Sequence, residues 1–234
     1  RAIVHLLADE TKRKSIKAIV VSTGNTELKA EIAKNIVAQF ALDIPVHTGT
    51  STNLRDNPST FFAGNFDVEG RHIVDNDTRN VLKQRFGESG NGADKIAEIL
   101  KNQADGKKVD ILLLTAPIDL VEAIKKDPIL SGQRLGDLFG MGLYKELPDG
   151  SLRAPYNTMA GPDSVFDLLE FYEEGMFSNF YHVPSDTVQK RAGLAGGYFP
   201  EDEWGRAVKS SITRHMDENP SLRPILQAAK EYGL

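Results

Sequence analysis

The chain has 234 residues, 40% hydrophobic and 26% charged, which suits a single α/β domain of ordinary globular composition. A formal net charge of -5 supplies no basic field for a nucleic acid polymer, so a nucleotide-like partner is expected to be small and held by a site. The absence of cysteine excludes disulfides, thiolate metal sites and a cysteine nucleophile, and no apolar run reaches membrane-spanning length.

Apolar runs and helical patterns alternate along the chain. Ile3, Leu6 and Leu7 sit at helical spacing, and no signal peptide is visible from Arg1 onward. Ile16 to Val21 is a short, β-branched run that ends in Ser22-Thr23-Gly24-Asn25, and it predicts a buried strand feeding a turn. Leu28, Ile32, Ile36, Val37 and Phe40 then recur at helical spacing, with Asn25 or Thr26 available as cap. Ile44-Pro45-Val46 predicts a short strand ending near Gly49. From Thr50 to Gly92 the sequence is rich in Asn, Asp, Gly and Ser with little periodicity, and it reads as a long functional or disordered loop.

Ala93, Ile96, Ala97 and Leu100 restore a helix. Val109 to Thr115 is the strongest strand signal and is expected to be central and buried, followed by a helix from about Pro117 to Lys126. Leu135 to Met141 is a weaker strand, interrupted by Gly136 and Asp137. Phe166, Leu169 and Glu170 lie in a further helix, and Phe177 to Val183 is strand-like. From Glu201 onward the pattern reads as two helices separated by Asn219-Pro220. This alternation predicts an α/β fold, a mostly parallel, doubly wound sheet with helices on both faces.

Ligands of such sheets bind beyond the carboxyl ends of the strands. That directs attention to Ser22 to Asn25, Gly49, Thr115 to Pro117, Met141-Gly142 and Asp186. Asn25 can bind a ligand hydroxyl or simply cap the next helix. Thr115 can offer a backbone carbonyl to a hard cation or be an ordinary strand end. Asn157 can pair with two vicinal hydroxyls of a sugar or hold its own turn. His5, His47, His72, His182 and His215 show no metal-ligand spacing, and neither a Walker loop nor a Gly-x-Ser-x-Gly elbow is present. The Gly-rich run Gly87 to Gly92 follows no strand, which makes it a weak phosphate cradle.

Taken in order, these turns resemble the inosine-uridine-preferring nucleoside hydrolase family. Ser22-Thr23-Gly24-Asn25 is similar to that family's strand ending in Gly-Asn, and Lys34-Asn35 to its Arg-Asn. Ile44-Pro45-Val46 through Gly49 resembles its Ile-Pro-Val-x-x-Gly. Phe86 to Gly92 resembles its His-Gly-x-x-Gly-Leu-Gly, with Phe86 where His is usual. Leu114 to Leu120 looks like the strand and turn that end Pro-Leu-Thr-Asn, with Asp127-Pro128 following at the expected spacing. Met141-Gly142 falls at Met-Gly-Gly, Pro155-Tyr156-Asn157 at Glu-Phe-Asn, and Ala160-Gly161-Pro162 at Ala-Asp-Pro. Ser185-Asp186-Thr187 is similar to part of its Leu-Asp-Val-Thr segment.

The resemblance implies a single nucleoside hydrolase-like domain over residues 1–234, incomplete at the N-terminus, with the C-terminal end open to the same reading. It implies hydrolysis of the N-glycosidic bond of ribonucleosides by the intact protein, with calcium as cofactor. Thr115 would be a metal ligand, and Asn25 and Asn157 would hold ribose hydroxyls. The family's aspartate loop, which precedes the first helix, is not in this sequence, and no late His-Asp pair is recognisable. The chain alone is therefore expected to carry binding residues without a catalytic base. Pro155, Phe86, Leu120 and Gly161 depart from the family pattern and keep a second reading open: a non-catalytic ribose- or nucleoside-binding member, or an architectural one. The expected partner is a nucleoside or ribose-like small molecule, with no nucleic acid polymer and no membrane. A homo-oligomer is compatible, and the cytoplasm is the favoured compartment.

Overall fold

The computed structural model describes residues 2–51, 76–143, 145–146, 152–154 and 156–183. Asp186, His72, His215, Pro155 and everything from Glu201 onward lie outside them.

The amino-terminal part is a helix–strand–helix–strand unit. Helices α1 (Ala2–Ala8) and α2 (Glu10–Arg13) lead into strand β1 (Ile19–Val21), helix α3 (Thr26–Gln39) and strand β2 (Val46–Thr48). β1 and β2 pair in parallel, with Ile19 opposite Val46 and Val21 opposite Thr48. α3 returns the chain between them and buries Ala30, Ala33, Ile36 and Val37 against Ile44 and Val46. Val4 and Leu7 of α1 are fully buried in the same cluster, where Ile19 and Val21 pack beside them.

The second part is built around three parallel strands. Helices α4 (Asn76–Phe86) and α5 (Gly92–Asn102) precede β3 (Val109–Leu113). Helices α6 (Ile118–Lys126) and α7 (Pro128–Arg134) carry the chain to β4 (Leu135–Met141). A short antiparallel pair follows, β5 (Lys145–Glu146) and β6 (Leu152–Arg153). Helices α8 (Tyr156–Ala160) and α9 (Pro162–Glu173) then lead to β7 (Phe180–Val183). The strand order is β3-β4-β7, all parallel.

Leu100, Ile124, Leu135, Leu138 and Leu168 are the largest fully buried side chains of the second core. Each stabilises the fold by roughly 1.5–3 kcal/mol through area removed from water. Helices covering parallel strands are what the alternating sequence predicts.

Two details differ from the sequence expectation, while the helix expected at Phe166, Leu169 and Glu170 is found as α9. Among the described residues β3 is an edge strand of its sheet, not a central one, and its burial alternates, with Leu112 50% exposed. The part of the expected Thr50–Gly92 loop that is described contains a helix, α4, whose buried anchor is Leu82. Few apolar residues mark it, and ion pairs support it instead: Arg79 to Glu31 and Arg85 to Asp43. In α9 the inward residues are Val165 and Leu168, while Phe166 and Leu169 face outward.

Candidate functional site

The turn after β1 is held in a strained conformation. Thr23 has φ 64° and Gly24 φ 65°, so a buried, β-branched residue occupies the left-handed region. Several bonds enforce it. Thr23 N–H donates to the Thr50 carbonyl at 2.9 Å, Lys29 Nζ to the Thr23 carbonyl at 2.7 Å, and Ser51 Oγ to the Gly24 carbonyl at 2.7 Å. Burial pushes the Lys29 amine below its usual value, since desolvation disfavours its charge.

Asp119, in the first turn of α6, joins the ends of β1 and β2. Its carboxylate accepts from Ser22 Oγ, from Thr50 N–H at 2.8 Å and from Thr50 Oγ1 at 3.1 Å. The residue is 3% exposed and has three donors, which is how a buried acid is made tolerable.

Thr115 lies two residues beyond β3 and stands opposite that turn, its Oγ1 3.4 Å from Thr23 Oγ1. Asn157, in α8, donates from Nδ2 to the Met141 carbonyl at 2.9 Å and so fixes α8 over the end of β4. Thr158 Oγ1 donates to the Leu143 carbonyl beside it.

Ser22, Thr23, Lys29, Thr115, Asp119, Met141, Gly142 and Asn157 line one cavity of about 1290 Å³. Thr115 and Asn157 both line it. Asn25 is not among the lining residues; it is exposed and its amide oxygen accepts the Leu28 N–H at 3.0 Å, capping α3. Lys29 and Asp119 were not singled out in the sequence. Asp119 carries a faint signal, an acid flanked by Ile118, Leu120 and Val121 on a buried stretch of helix.

The other candidate positions serve packing. Asn91 caps α5 through Asp94 N–H at 3.0 Å, and Lys34 Nζ donates to the Gly87 carbonyl at 2.9 Å, so the Gly-rich run is tied into the framework. Gly92 lies against β2 and Val20, where a Cβ would fall 3.1 Å from the Gly49 Cα. Phe86 packs on the first core beneath the Arg85 guanidinium, and Leu120 is buried in the second. At Gly161 a Cβ would come 2.8 Å from Ile118 Cγ1. Phe86, Leu120 and Gly161 all have packing roles.

Calcium takes about six to eight oxygen ligands. Near Thr115 the cavity offers its carbonyl and hydroxyl, Thr23, Asn157 and the already occupied Asp119 carboxylate. Among the described residues no group of three His, Cys, Asp or Glu could hold a metal. These residues by themselves do not fit the ion.

The cavity runs along β1 and β3 and reaches the carboxyl ends of the strands, where ligands of parallel α/β sheets bind. Comparison with solved structures narrows the fold. The type III effector protein XopQ, solved in complex with adenosine diphosphate ribose, matches with a TM-score of 0.58 at 14% identity over 93% of this chain. The inosine-uridine-preferring nucleoside hydrolase of Bacillus anthracis matches with a TM-score of 0.51 at 13% identity over 99% of this chain. The chain spans 65% of the length of the first and 76% of the second. No protein-family model matches the sequence, and no curated protein matches it. At such identities the likeness is one of fold. Among the described residues no helix is long and apolar enough to cross a membrane.

Proposed function

We propose that this chain supplies the ribose-holding part of a nucleoside hydrolase-like site, and that the intact protein cleaves the N-glycosidic bond of ribonucleosides. The observation that supports the reading is that Thr115 and Asn157, from separate elements, line one cavity that reaches the carboxyl ends of the strands. Asn157 Oδ1 is left as an acceptor for a ribose hydroxyl once Nδ2 is spent on Met141. Asn25 spends its amide oxygen on the cap of α3, which leaves its Nδ2 as a donor. The ligand class is ribosyl, in keeping with the ligand of one fold neighbour and the substrates of the other.

Cleavage passes through an oxocarbenium-like state and needs an activated water. Asp119 is not that base, because its oxygens already accept from Ser22 and Thr50. Calcium would need carboxylates from outside the described residues, with Thr115 adding a carbonyl.

The second reading, a ribosyl-binding protein without turnover, is favoured by the packing roles of Phe86, Leu120 and Gly161. Calorimetric titration with ribose and inosine, paired with an assay of base release from inosine and uridine in calcium, separates the two. Binding with release supports the enzyme, binding without release the second reading. Absence of both from the intact protein refutes the site.

A further inference from the structure

Lys29 brings a cation to the cavity without a counter-charge. It lines the cavity together with Thr23, Thr115 and Asn157. Its Nζ donates to the Thr23 carbonyl at 2.7 Å. An ammonium has three N–H donors, so two are left. A carbonyl offers a dipole and no charge, and among the described residues no acid pairs with this amine. Burial lowers its pKa, and no neighbouring carboxylate offsets the shift.

The acids around it are committed elsewhere. Asp119 accepts from Ser22 and Thr50, and Asp110 accepts the Asp137 N–H. Glu31 holds Arg79 at 2.7 Å. Glu27 is exposed and two residues away on α3, a spacing at which side chains do not face each other. The helix adds to the cost, since Lys29 stands in the first turn of α3, where the dipole disfavours a cation. Lys34, further along the same helix, is the contrast. Its Nζ also donates to a carbonyl, that of Gly87, but Glu88 and Glu31 favour its charge. A neutral donor such as glutamine would hold the Thr23 carbonyl with no charge to desolvate. The turn alone therefore does not account for a lysine at this position.

We propose that Lys29 binds a phosphate group of the ligand, so that the site takes a ribosyl phosphate in preference to an uncharged ribosyl compound. The inference rests on the ribosyl reading above and narrows it. The donors a phosphate needs stand on the same cavity wall. Thr23 Oγ1 and Thr115 Oγ1 lie 3.4 Å apart, so one hydroxyl proton serves the bond between them and the other is left to give. Together with the two remaining N–H groups of Lys29 this is a set of donors beside a fixed charge. It suits an anion with several terminal oxygens, and lysine serves phosphate as a point charge. Asn157 Oδ1 remains for a ribose hydroxyl in the same cavity. An uncharged ligand would fill the cavity and leave the Lys29 charge desolvated and unmatched.

Calorimetric titration of the intact protein with ribose, ribose-5-phosphate and inorganic phosphate tests this. The parent should bind ribose-5-phosphate at least about tenfold more tightly than ribose, as a charge-assisted hydrogen bond allows. Lys29→Met keeps an unbranched side chain and should weaken ribose-5-phosphate at least about tenfold more than it weakens ribose. Lys29→Arg keeps the charge and should retain part of the preference. A lysine that only braces the Thr23 turn would weaken both ligands alike in Lys29→Met, and that result would overturn the proposal. Equal affinity of the parent for the two ligands would do the same while leaving the ribosyl reading in place. Binding of inorganic phosphate that needs Lys29, with no binding of ribose, would instead keep the anion site and remove the ribosyl reading. Should Lys29→Met misfold, the ratios measured for the parent and for Lys29→Arg decide.

Discussion

The Asp119 carboxylate accepts the backbone N–H of Thr50 at 2.8 Å while its other oxygen accepts the hydroxyl of Ser22. One acid on α6 thereby ties the ends of β1 and β2 to the helix that follows β3. Asp119→Ala leaves a buried N–H and a buried hydroxyl without their acceptor. Each orphaned group costs about 1–3 kcal/mol, so a loss of about 2–5 kcal/mol is expected. Asp119→Asn keeps an acceptor for Thr50 and lets Ser22 accept from the amide, so its loss should stay below about 2 kcal/mol. Urea denaturation of both variants checks the order; equal losses would show that shape, not the hydrogen bonds, is what matters there.

Gly49 is the companion of that contact. A Cβ on Gly49 would fall 2.6 Å from Ser22 Oγ and 2.6 Å from Asp119 Cγ. Neither buried neighbour can retreat without losing a bond. Gly49→Ala should cost about 1–3 kcal/mol or more through overpacking. In the double variant with Asp119→Ala the added cost should fall, because the carboxylate is gone. A double-mutant cycle read from denaturation midpoints tests the coupling.

Much of this architecture is legible in the sequence because it is local. Leu28, Ile32 and Ile36 at helical spacing mark α3, and the β-branched run before Ser22 marks β1. Asp119 and Lys29 are hidden for the opposite reason. Ser22 and Asp119 are separated by 97 residues, and nothing local to either announces the other. Lys29 looks like one more helix lysine until the strained turn of Thr23 presents its carbonyl to it. α4 is obscured because Leu82 is its buried anchor while Val81 is 61% exposed. The resemblance points to Thr115 and Asn157 by position. Their shared cavity depends on α8 folding back over β4, which no periodicity encodes.

Acid should weaken the fold through His47 and His182. Burial lowers the tendency of His47 to protonate, Lys95 and Lys34 add to that, and Glu98 opposes it. Among the described residues neither ring nitrogen of His47 has a hydrogen-bond partner. Burial has the same effect on His182, whose Nε2 accepts from Leu143 N–H and would lose that bond on protonation. A histidine whose folded pKa lies below its unfolded value of about 6.5 leaves stability fully present above that value. The stability is lost as pH falls, because the unfolded chain binds the proton first. The urea midpoint should therefore drop between about pH 7.5 and pH 5.5, and His47→Gln should make it drop less. An unchanged slope in that variant would remove His47 from the account.

Asn157 and Thr115 make separable predictions for binding. Asn157→Ala removes both the anchor on Met141 and the proposed hydroxyl partner, so ribose or inosine affinity should fall at least about tenfold, about 1.4 kcal/mol. Thr115→Val removes the hydroxyl beside Thr23 but keeps the backbone carbonyl. If the carbonyl is the contributing group, affinity should stay within about threefold of the parent. Titration calorimetry of the intact protein distinguishes these outcomes.

The 234-residue chain by itself should not hydrolyse nucleosides at an enzymatic rate. Two carboxylates line its cavity: both oxygens of Asp119 already accept hydrogen bonds, and Asp110, in β3, accepts the Asp137 N–H. Among the described residues no group of three acids or histidines could hold a metal ion. Without an available base or an ion, nothing there activates water, and general base catalysis is typically worth about 10²–10⁴-fold. Lys29 does not replace it: its amine donates to the Thr23 carbonyl, and a base must accept a proton. Base release from inosine and uridine, assayed with calcium for this chain and for the upstream-extended polypeptide, decides the matter. Rapid turnover by the short chain would reveal a base outside the described residues. Turnover only by the extended polypeptide would place the missing carboxylates in the added segment. If neither turns over while ribose still binds, the protein holds its ligand without cleaving it, and Pro155 becomes the first position to revert to glutamate.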